Sequence, residues 1–324
     1  MMLYPLRFHP ILKQTIWGGD KINQLKRMPN GQPSVGESWE ISAVDGFESV
    51  VANGDYRGYS LPGLVRLLKE ELVGTANYAR FGDKFPLLVK FIDAHDDLSI
   101  QVHPGDALAM QRHNCLGKTE MWYVLGGDID ARLIAGFSRK ITTEEYREMV
   151  ADGSFVNVLH SYSVKPGDVY YIPAGRVHSL GKGTLVAEVQ ETSDITYRIF
   201  DYNRRDKNGN LRQLHVDEAA DAIDFDDVSC EAKVNYQLTD NKPVKLVSSP
   251  KFTTFVYHLT EEVTFGYGDL DSFVILICTE GSCQVVMDAA KETICAGETL
   301  LLPAAAKDVR LLPSPTATLL EVYT

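Results

Sequence analysis

Apolar residues occur mostly in short segments that end at Gly, Pro, Asp or Asn. Many of their residues are β-branched or aromatic, and the segments span residues 85–92, 98–103, 121–127, 168–173, 184–190, 273–287 and 298–303. Short apolar segments separated by turn residues are typical of antiparallel sandwiches and barrels. The pattern therefore predicts a mainly β protein.

Helical patterns are fewer and lie between the predicted strands. Residues 61–72 place leucines on one helix face, and residues 106–113 also have a helical pattern. In residues 142–153, Thr142 or Thr143 can cap the first turn and Gly153 can end the helix. We therefore expect helices inserted between strands.

One β unit is present twice. Its spacing is Gly167, Pro173, Gly175 and His178 in the first copy, and Gly297, Pro303, Ala305 and Asp308 in the second. Each copy follows a glycine typical of a hairpin, Gly126–Gly127 in one case and Gly281 in the other. Because the second copy has Asp in place of His, and no His-containing strand before it, we expect it to keep the sheet and lack a metal site.

The acidic, polar stretch 217–243 predicts a short helix followed by a connection. We place a domain boundary near residue 240, which gives a larger first domain over 1–240 and a smaller β domain over 241–324. Exposed strand edges in the smaller domain could pair between two chains, so a homodimer is compatible with the sequence.

Charge and composition disfavour several classes of function. The 44 acidic residues outnumber the 32 basic ones and give a net charge of -12, which disfavours binding to nucleic acid and to anionic lipid. No stretch reaches the roughly 18 apolar residues of a membrane span, and the N-terminus has no signal peptide pattern. We therefore expect a cytoplasmic protein, and an anionic substrate would need a local cluster of basic residues.

The cysteines are odd in number and have no CxxC spacing. We expect reduced thiols rather than disulfides at Cys115, Cys230, Cys278, Cys283 and Cys295.

A mixed set of nitrogen and oxygen ligands can be recognised in three segments. Gln101 and His103 are two residues apart on a strand, so their side chains share one face. Glu120 opens a second strand, and His178 follows the strand that ends at Pro173. Two imidazoles, a carboxylate and an amide oxygen suit a borderline divalent metal, with room for water or substrate.

The other histidines have no partner at ligand spacing, and we expect structural or exposed positions for His9, His95, His113, His160, His215 and His258.

The combined spacing matches the two-part metal-binding signature of the cupin superfamily, with Gln101 where most metal cupins have His. Within it, the chain resembles the zinc-dependent class I mannose-6-phosphate isomerases, in their shorter bacterial form. The motifs are IWGG (16–19), GESWEIS (36–42), FPLLVKFIDA (85–94), SIQVHP (99–104), GKTEMWYVL (117–125), PAGRVHSL (173–180) and ETSDITYRIFDYNR (191–204). The resemblance covers nearly the whole chain and implies two cupin-type β-barrel or jelly-roll domains with inserted helices.

The resemblance also implies one zinc per chain and the interconversion of mannose 6-phosphate and fructose 6-phosphate. Its zinc ligands would be Gln101, His103, Glu120 and His178, with Arg198 as the catalytic arginine. The shorter members are usually described with His, Glu and His as ligands, so ligation by Gln101 stays open.

Candidate acid and base groups lie beside these ligands. Lys118 is two residues before Glu120, and a dication nearby would lower its pKa and make it a base; the alternative is a surface lysine. Glu188 shares a strand face with Val186 and Gln190, where it could orient sugar hydroxyls or transfer a proton, or lie at the rim. Arg198 cannot lose its proton at neutral pH, so we assign it to charge stabilisation.

The resemblance implies further contacts with the substrate. Lys90, Ser99 and Arg204 match positions that face the phosphate or line the site, and Trp17 and Glu40 match positions that close it. For Trp17 a core position is an equal alternative.

Two functions of other classes compete with an isomerase. A metal-cupin oxygenase would bind iron with the same ligands and would not need Lys118 or Arg198. A catalytically silent sugar-phosphate-binding regulator would lack a ligand or Arg198, and both are present in this sequence.

Overall fold

Residues 3–205, 208–228 and 231–324 are described in a computed structural model of the chain. The N-terminal elements are β1 (Ile11–Gly19), α1 (Lys21–Leu25), β2 (Val35–Ile41), β3 (Ala43–Val44), β4 (Phe47–Glu48), α2 (Leu61–Leu68), α3 (Glu70–Val73), α4 (Thr75–Phe81), β5 (Leu87–Ala94), β6 (Ile100–Val102), α5 (Asp106–His113), β7 (Glu120–Gly127), β8 (Arg132–Phe137), α6 (Thr143–Asp152), a 3₁₀ helix (Phe155–Val158), β9 (Leu159–Ser163), β10 (Val169–Ile172), β11 (His178–Leu180), β12 (Thr184–Glu191), β13 (Tyr197–Phe200), α7 (Val216–Ala222) and β14 (Lys233–Val234). The elements that follow are β15 (Val244–Ser248), β16 (Thr253–Leu259), β17 (Val263–Gly266), β18 (Val274–Met287), β19 (Ala290–Cys295), β20 (Glu298–Leu302) and β21 (Asp308–Tyr323).

The strands form three large antiparallel sheets. The first has the order β1-β2-β5-β12-β7-β10-β14 and the second the order β13-β6-β11-β8-β9. The third has the order β15-β16-β21-β18-β19, with β17 paired to β21 and β20 to β18. The mainly β prediction is confirmed, with helices between strands; the pairings among the described residues give sandwiched sheets rather than a closed barrel.

The first sheet is covered on both faces. On β7 and β12, Trp122 and Val186 belong to a core shared with the second sheet, whereas Met121 and Val189 belong to a core on the opposite face. This double burial explains the continuous apolar segments, since successive residues of a strand point to opposite faces.

The core on the outer face of the first sheet joins it to the third sheet. Phe91 of β5 shares this core with Phe252, Ile275 and Leu320. The backbone of Leu6 also pairs with β20, because its N–H donates to the carbonyl of Leu301 over 2.8 Å. The third sheet begins at Val244, and the boundary near residue 240 stays a prediction.

The predicted helices are present, with one correction. Residues 61–72 form two short helices rather than one, because Lys69 takes a left-handed backbone with φ 49° between α2 and α3. Helix α6 begins as expected, since Thr142 accepts from the N–H of Glu145 in a capping box, and Gly153 ends it with φ 79°. None of the described helices has the length and apolar composition needed to cross a membrane.

The two copies of the repeat have the same local order of a strand, a turn and a second strand. In the first copy β10 leads to β11 at His178, and in the second β20 leads to β21 at Asp308. Gly281, expected in a hairpin, instead lies inside the continuous strand β18. Its φ of 72° accompanies register shifts against β21, so it forms a bulge rather than a turn.

The thiols agree with the expectation where the structure describes them. Cys278 and Cys283 are buried, Cys115 and Cys295 are half-buried, and all four are free. Burial raises the pKa of the Cys278 and Cys283 thiols. Cys230 lies outside the described residues.

Candidate active site and metal centre

A cavity of about 500 Å³ is lined by strands of both N-terminal sheets. Most residues expected at the site line it, namely Trp17, Lys90, Ser99, Gln101, Lys118, Glu188 and Arg198. Residues that the sequence did not single out line it as well, among them Glu37, Asp194, Thr196 and Arg212. Glu37 lies within the quoted motif 36–42, and Asp194 and Thr196 lie within 191–204, whereas Arg212 lies outside every quoted motif.

Cross-strand register places the site residues side by side. On the second sheet, Gln101 of β6 lies opposite His178 of β11 on one side and Arg198 of β13 on the other. On the first sheet, Glu188 of β12 lies opposite Lys90 of β5 and also opposite Trp122 of β7. Directly opposite residues of antiparallel strands point to the same face, so each sheet presents a polar row.

His103, Glu120 and His178 form a compact group of potential metal ligands. One ligand atom from each lies within 4.8 Å of the others. The two Nε2 atoms are 3.1 Å apart, and Glu120 Oε2 and Oε1 lie 3.5 and 3.3 Å from His103 and His178. Each side chain is only 1% exposed. It is the one such group of three that the described ranges contain.

The hydrogen bonds of the two histidines orient their lone pairs inward. Nδ1 of His103 donates to the carbonyl of Ile195, and Nδ1 of His178 donates to that of Arg176, each over 2.9 Å. Because a carbonyl oxygen only accepts, both Nε2 atoms are left as acceptors that face each other. This outer-shell arrangement is typical of metal-binding histidines.

The charges of the group also suit a cation. Burial lowers the pKa of His178 to about 4 and that of His103 well below its usual range, so both rings are neutral, the form that binds metals. Both Glu120 oxygens are buried without a hydrogen-bond partner. Burial, and then the nearby Glu188 carboxylate, raise the pKa of Glu120 by more than the Lys118 ammonium group lowers it, so a further positive charge would favour its ionised form. The residues present therefore fit a divalent metal.

Gln101 lies at the edge of this group. Its Nε2 is 3.2 Å from Nε2 of His178, and its Oε1 accepts from Ser99 Oγ over 3.2 Å. Ligation through oxygen needs the amide turned the other way, so the role of Gln101 stays a prediction.

Lys118 points into the site although it precedes β7. Its Nζ lies 3.1 Å from His103 Nε2 and 3.4 Å from Glu120 Oε2. The side chain is buried, which disagrees with the alternative of a surface lysine.

Glu188 points inward, as its strand face indicated. Its Oε2 accepts from the indole N–H of Trp122 over 2.8 Å, and its buried Oε1 has no hydrogen-bond partner. Lys90 Nζ is 3.5 Å from Glu188 Oε1 and 3.7 Å from Glu37 Oε2. Burial opposes the charge of Lys90, but Glu37 and Glu188 outweigh it and raise the lysine pKa. The charge of Lys90 is thus matched by two carboxylates.

Two arginines, Arg198 and Arg212, line the cavity. Arg204 and Arg212 both pair with Asp201, the latter through Nε over 2.7 Å. Arg198 Nη1 donates to the carbonyl of Gln213, and its buried Nε has no partner. Burial, and then Arg212, lower the pKa of Arg198. Two guanidinium groups therefore share one carboxylate, and Arg198 lies near them without an ion-pair partner of its own.

Two residues expected at the site lie elsewhere. Glu40 pairs with Lys26 over 2.7 Å and lines a separate pocket. Arg204 does not line the cavity and donates to the carbonyl of Asp97. Trp17 both lines the cavity and belongs to the core between the sheets, so its two interpretations are compatible.

The remaining histidines include one with a supporting position that sequence reasoning missed. Nδ1 of His215 accepts from the backbone N–H of Arg198 over 3.2 Å. The N–H of His215 donates to the carbonyl of Arg198 over 2.7 Å. These bonds fix the backbone of the arginine, and no motif in the sequence predicts them.

The chain is similar to known proteins over nearly its whole length. A family model described as phosphomannose isomerase type I, catalytic domain, matches residues 6–122. A mannose-6-phosphate isomerase from Streptococcus mutans is 33% identical over 93% of each chain. The mannose-6-phosphate isomerase ManA from Bacillus subtilis is 35% identical over 94% of each.

Solved structures show the same similarity. A crystal structure of the mannose 6-phosphate isomerase from Bacillus subtilis matches with a TM-score of 0.89 and 32% identity, covering 99% of this chain and 100% of that one. A putative mannosephosphate isomerase from Archaeoglobus fulgidus shares the fold, with a TM-score of 0.80 at 24% identity over 100% of this chain and 98% of that one.

Proposed function

The chain belongs to the type I phosphomannose isomerase family, and from that premise we propose that it is a zinc-dependent isomerase of mannose 6-phosphate and fructose 6-phosphate. The observation that carries the proposal is the buried group of His103, Glu120 and His178, which lies beside the cavity. Gln101 and Lys118 contact this group and also line the cavity, together with Arg198 and Arg212. A metal site and an anion site in one cavity suit a sugar phosphate.

The metal would be held by His103, Glu120 and His178, with the oxygen of Gln101 as a fourth ligand. Two imidazoles and a carboxylate are typical of catalytic zinc, which keeps a position open for water or substrate. When bound, zinc supplies Lewis-acid polarisation of a sugar oxygen, worth on the order of several kcal/mol.

Moving hydrogen between C1 and C2 requires a group that accepts and returns a proton. Lys118 is buried beside the metal ligands and reaches the cavity, so we assign it this acid–base role. Glu188 is held by Trp122 through one oxygen and leaves Oε1 free to accept from a sugar hydroxyl. Its fixed orientation supports a role in placing the sugar chain.

The arginine cluster supports the phosphate assignment. Arg198 and Arg212 line the cavity, and of these two only Arg212 pairs with Asp201, so the Arg198 charge is available to a phosphate dianion. Arg212 and Arg198 reach the cavity, and Ser99 lines it. Arg198, whose Nε lacks a partner, is also available to stabilise negative charge that develops on the sugar. Lys90 contributes less, because Glu37 and Glu188 already match its charge.

The test is isomerisation of mannose 6-phosphate by protein of measured metal content, before and after chelation. We expect activity to disappear when the metal is removed and to return with zinc. Activity that survives complete removal would refute the proposed role of the metal. Oxygen uptake with iron would favour an oxygenase, and binding of mannose 6-phosphate without turnover would favour a regulator.

The expectations of a cytoplasmic location and of a homodimer stay predictions. Light scattering of the zinc-loaded protein would decide the oligomeric state.

A further inference from the structure

The segment just before the metal ligand Glu120 is fixed by two carboxylates. The backbone N–H of Gly117 donates to Asp106 Oδ1, and that of Thr119 donates to Glu191 Oε2, each over 2.9 Å. Lys118 lies between these two anchored residues. A Cβ on Gly117 would lie 2.7 Å from the backbone nitrogen of Asp106, so the segment packs closely against the start of α5.

One lysine from the third sheet joins the two carboxylates. Nζ of Lys251 bonds Glu191 Oε1 over 2.7 Å and also bonds Asp106 Oδ2. Glu191 is buried, and Lys251 is half-buried. A single ammonium group therefore pairs with both anchors of the segment that carries Lys118.

Lys251 is itself held in a fixed position. It lies in the tight turn between β15 and β16, where Ser249 Oγ accepts from the N–H of Lys251 and from that of Phe252, each over 3.2 Å. Phe252 is buried in the core shared by the first and third sheets. The Lys251 side chain therefore extends from a turn that these hydrogen bonds and the packing of Phe252 hold in place.

Removal of the Lys251 charge would disturb both carboxylates that hold the 117–119 segment. Without Lys251, two facing carboxylates would repel each other, and the buried Glu191 would lose its charged partner. Either carboxylate could then turn away and release its backbone N–H. The segment between the two anchors would lose the geometry that aims Lys118 and Glu120 into the site.

We propose that Lys251 is a positioning residue, which acts through Asp106 and Glu191 to hold the 117–119 segment and so to place Lys118 and Glu120. The third sheet thus supports a site whose lining residues all precede that sheet in the chain. The kinetic part of this inference rests on the proposed isomerase function, whereas the effect on metal affinity does not.

The test compares Lys251→Met with Lys251→Arg and with a control, Lys233→Met. Lys233 is half-buried and pairs with the buried carboxylate of Asp168 over 2.8 Å, away from the cavity. Zinc affinity is measured by competition with a chelator. The kcat and KM are measured at zinc saturation, and Tm is measured for each variant.

We expect Lys251→Met to weaken zinc binding by up to about tenfold, because loss of a group bonded directly to a metal ligand costs about 10- to 100-fold and Lys251 acts through Glu191 and the backbone of Thr119. It should also lower kcat by about tenfold while KM changes less than about twofold, because a misplaced catalytic group slows the reaction more than it weakens substrate binding. Lys251→Arg should keep most of both properties. Lys233→Met should lower only Tm.

Equal zinc affinity and kcat in Lys251→Met and Lys233→Met would overturn the proposal, whatever the Tm values. If Lys251→Met does not fold, Lys251→Gln is judged by the same criteria. A wild-type protein without isomerase activity would refute the proposed function instead, and the zinc affinities would still decide the role of Lys251.

Discussion

The ion pair of Lys26 and Glu40 offers a prediction whose size can be worked out from the structure. Their side chains are 7% and 5% exposed, and the two charged atoms are 2.7 Å apart. Substitution Lys26→Met leaves Glu40 buried with only the hydroxyl of Ser38 as a hydrogen-bond donor. A buried charge that has lost its partner is strongly destabilising.

Protonation limits this cost. A carboxyl with an ordinary pKa of 4.5 can be protonated at pH 7 for about 3.4 kcal/mol, so Glu40 becomes neutral before the penalty grows further. Burial already raises the pKa of Glu40, despite the lysine. We therefore expect Lys26→Met to lower the free energy of unfolding by about 3 kcal/mol at pH 7.

The loss of stability in Lys26→Met should depend on pH, and the shift in the Glu40 pKa gives the direction of that dependence. In Lys26→Met the folded-state pKa of Glu40 lies further above its unfolded value, so the folded state binds the additional proton. The stability associated with that proton is present below pH 4.5 and is lost as the pH rises through the folded pKa. The deficit relative to wild type should shrink by up to about 1.4 kcal/mol for each pH unit between 7 and 5.

Denaturant unfolding at pH 7, 6 and 5 measures the effect. Lys21→Met is the control, because Lys21 and Asp128 are also 2.8 Å apart but are 32% and 65% exposed. That exposed pair should contribute less than about 1 kcal/mol. The double variant Lys26→Met/Glu40→Leu should regain most of the lost stability. Wild-type stability in Lys26→Met would refute the structural role of this ion pair. A raised KM and unchanged stability in Glu40→Gln would also refute it, and would indicate that Glu40 contacts the substrate.

Two further predictions concern the arginines of the cavity. Arg198→Ala should keep its zinc and lose most turnover, because it removes a charge that stabilises the transition state; a zinc assay with kinetics checks this, and unchanged turnover would contradict it. Arg212→Ala should raise KM for the sugar phosphate by about 10- to 100-fold, the value of one charged hydrogen bond, with kcat within a few fold. A fall in kcat at constant KM would place Arg212 at the reacting carbons instead.

Much of the site followed from local spacing in the sequence. Alternation along a strand placed Glu188 on the face of Val186, and Glu188 lines the cavity. The spacing from Gly167 to His178 predicted a strand, a turn and, at the next strand, a histidine that belongs to the candidate metal site. The capping box at Thr142 was equally local, since it joins atoms three residues apart. Such features depend on backbone geometry within one element, which the sequence encodes directly.

Other residues of the site could not be assigned from their own segment, because their positions depend on the segments that pack against them. Glu37 and Glu40 are three residues apart on β2, so they point to opposite faces, and only the packing of the sheets decides which face meets the cavity. Arg212 reaches the cavity from a loop without a motif, and Lys251 reaches the 117–119 segment from the third sheet. The sequence by itself determined the ligand types and the strand faces that carry them. Tertiary structure decided which face meets which cavity, because cross-strand register and sheet packing join residues far apart in the chain.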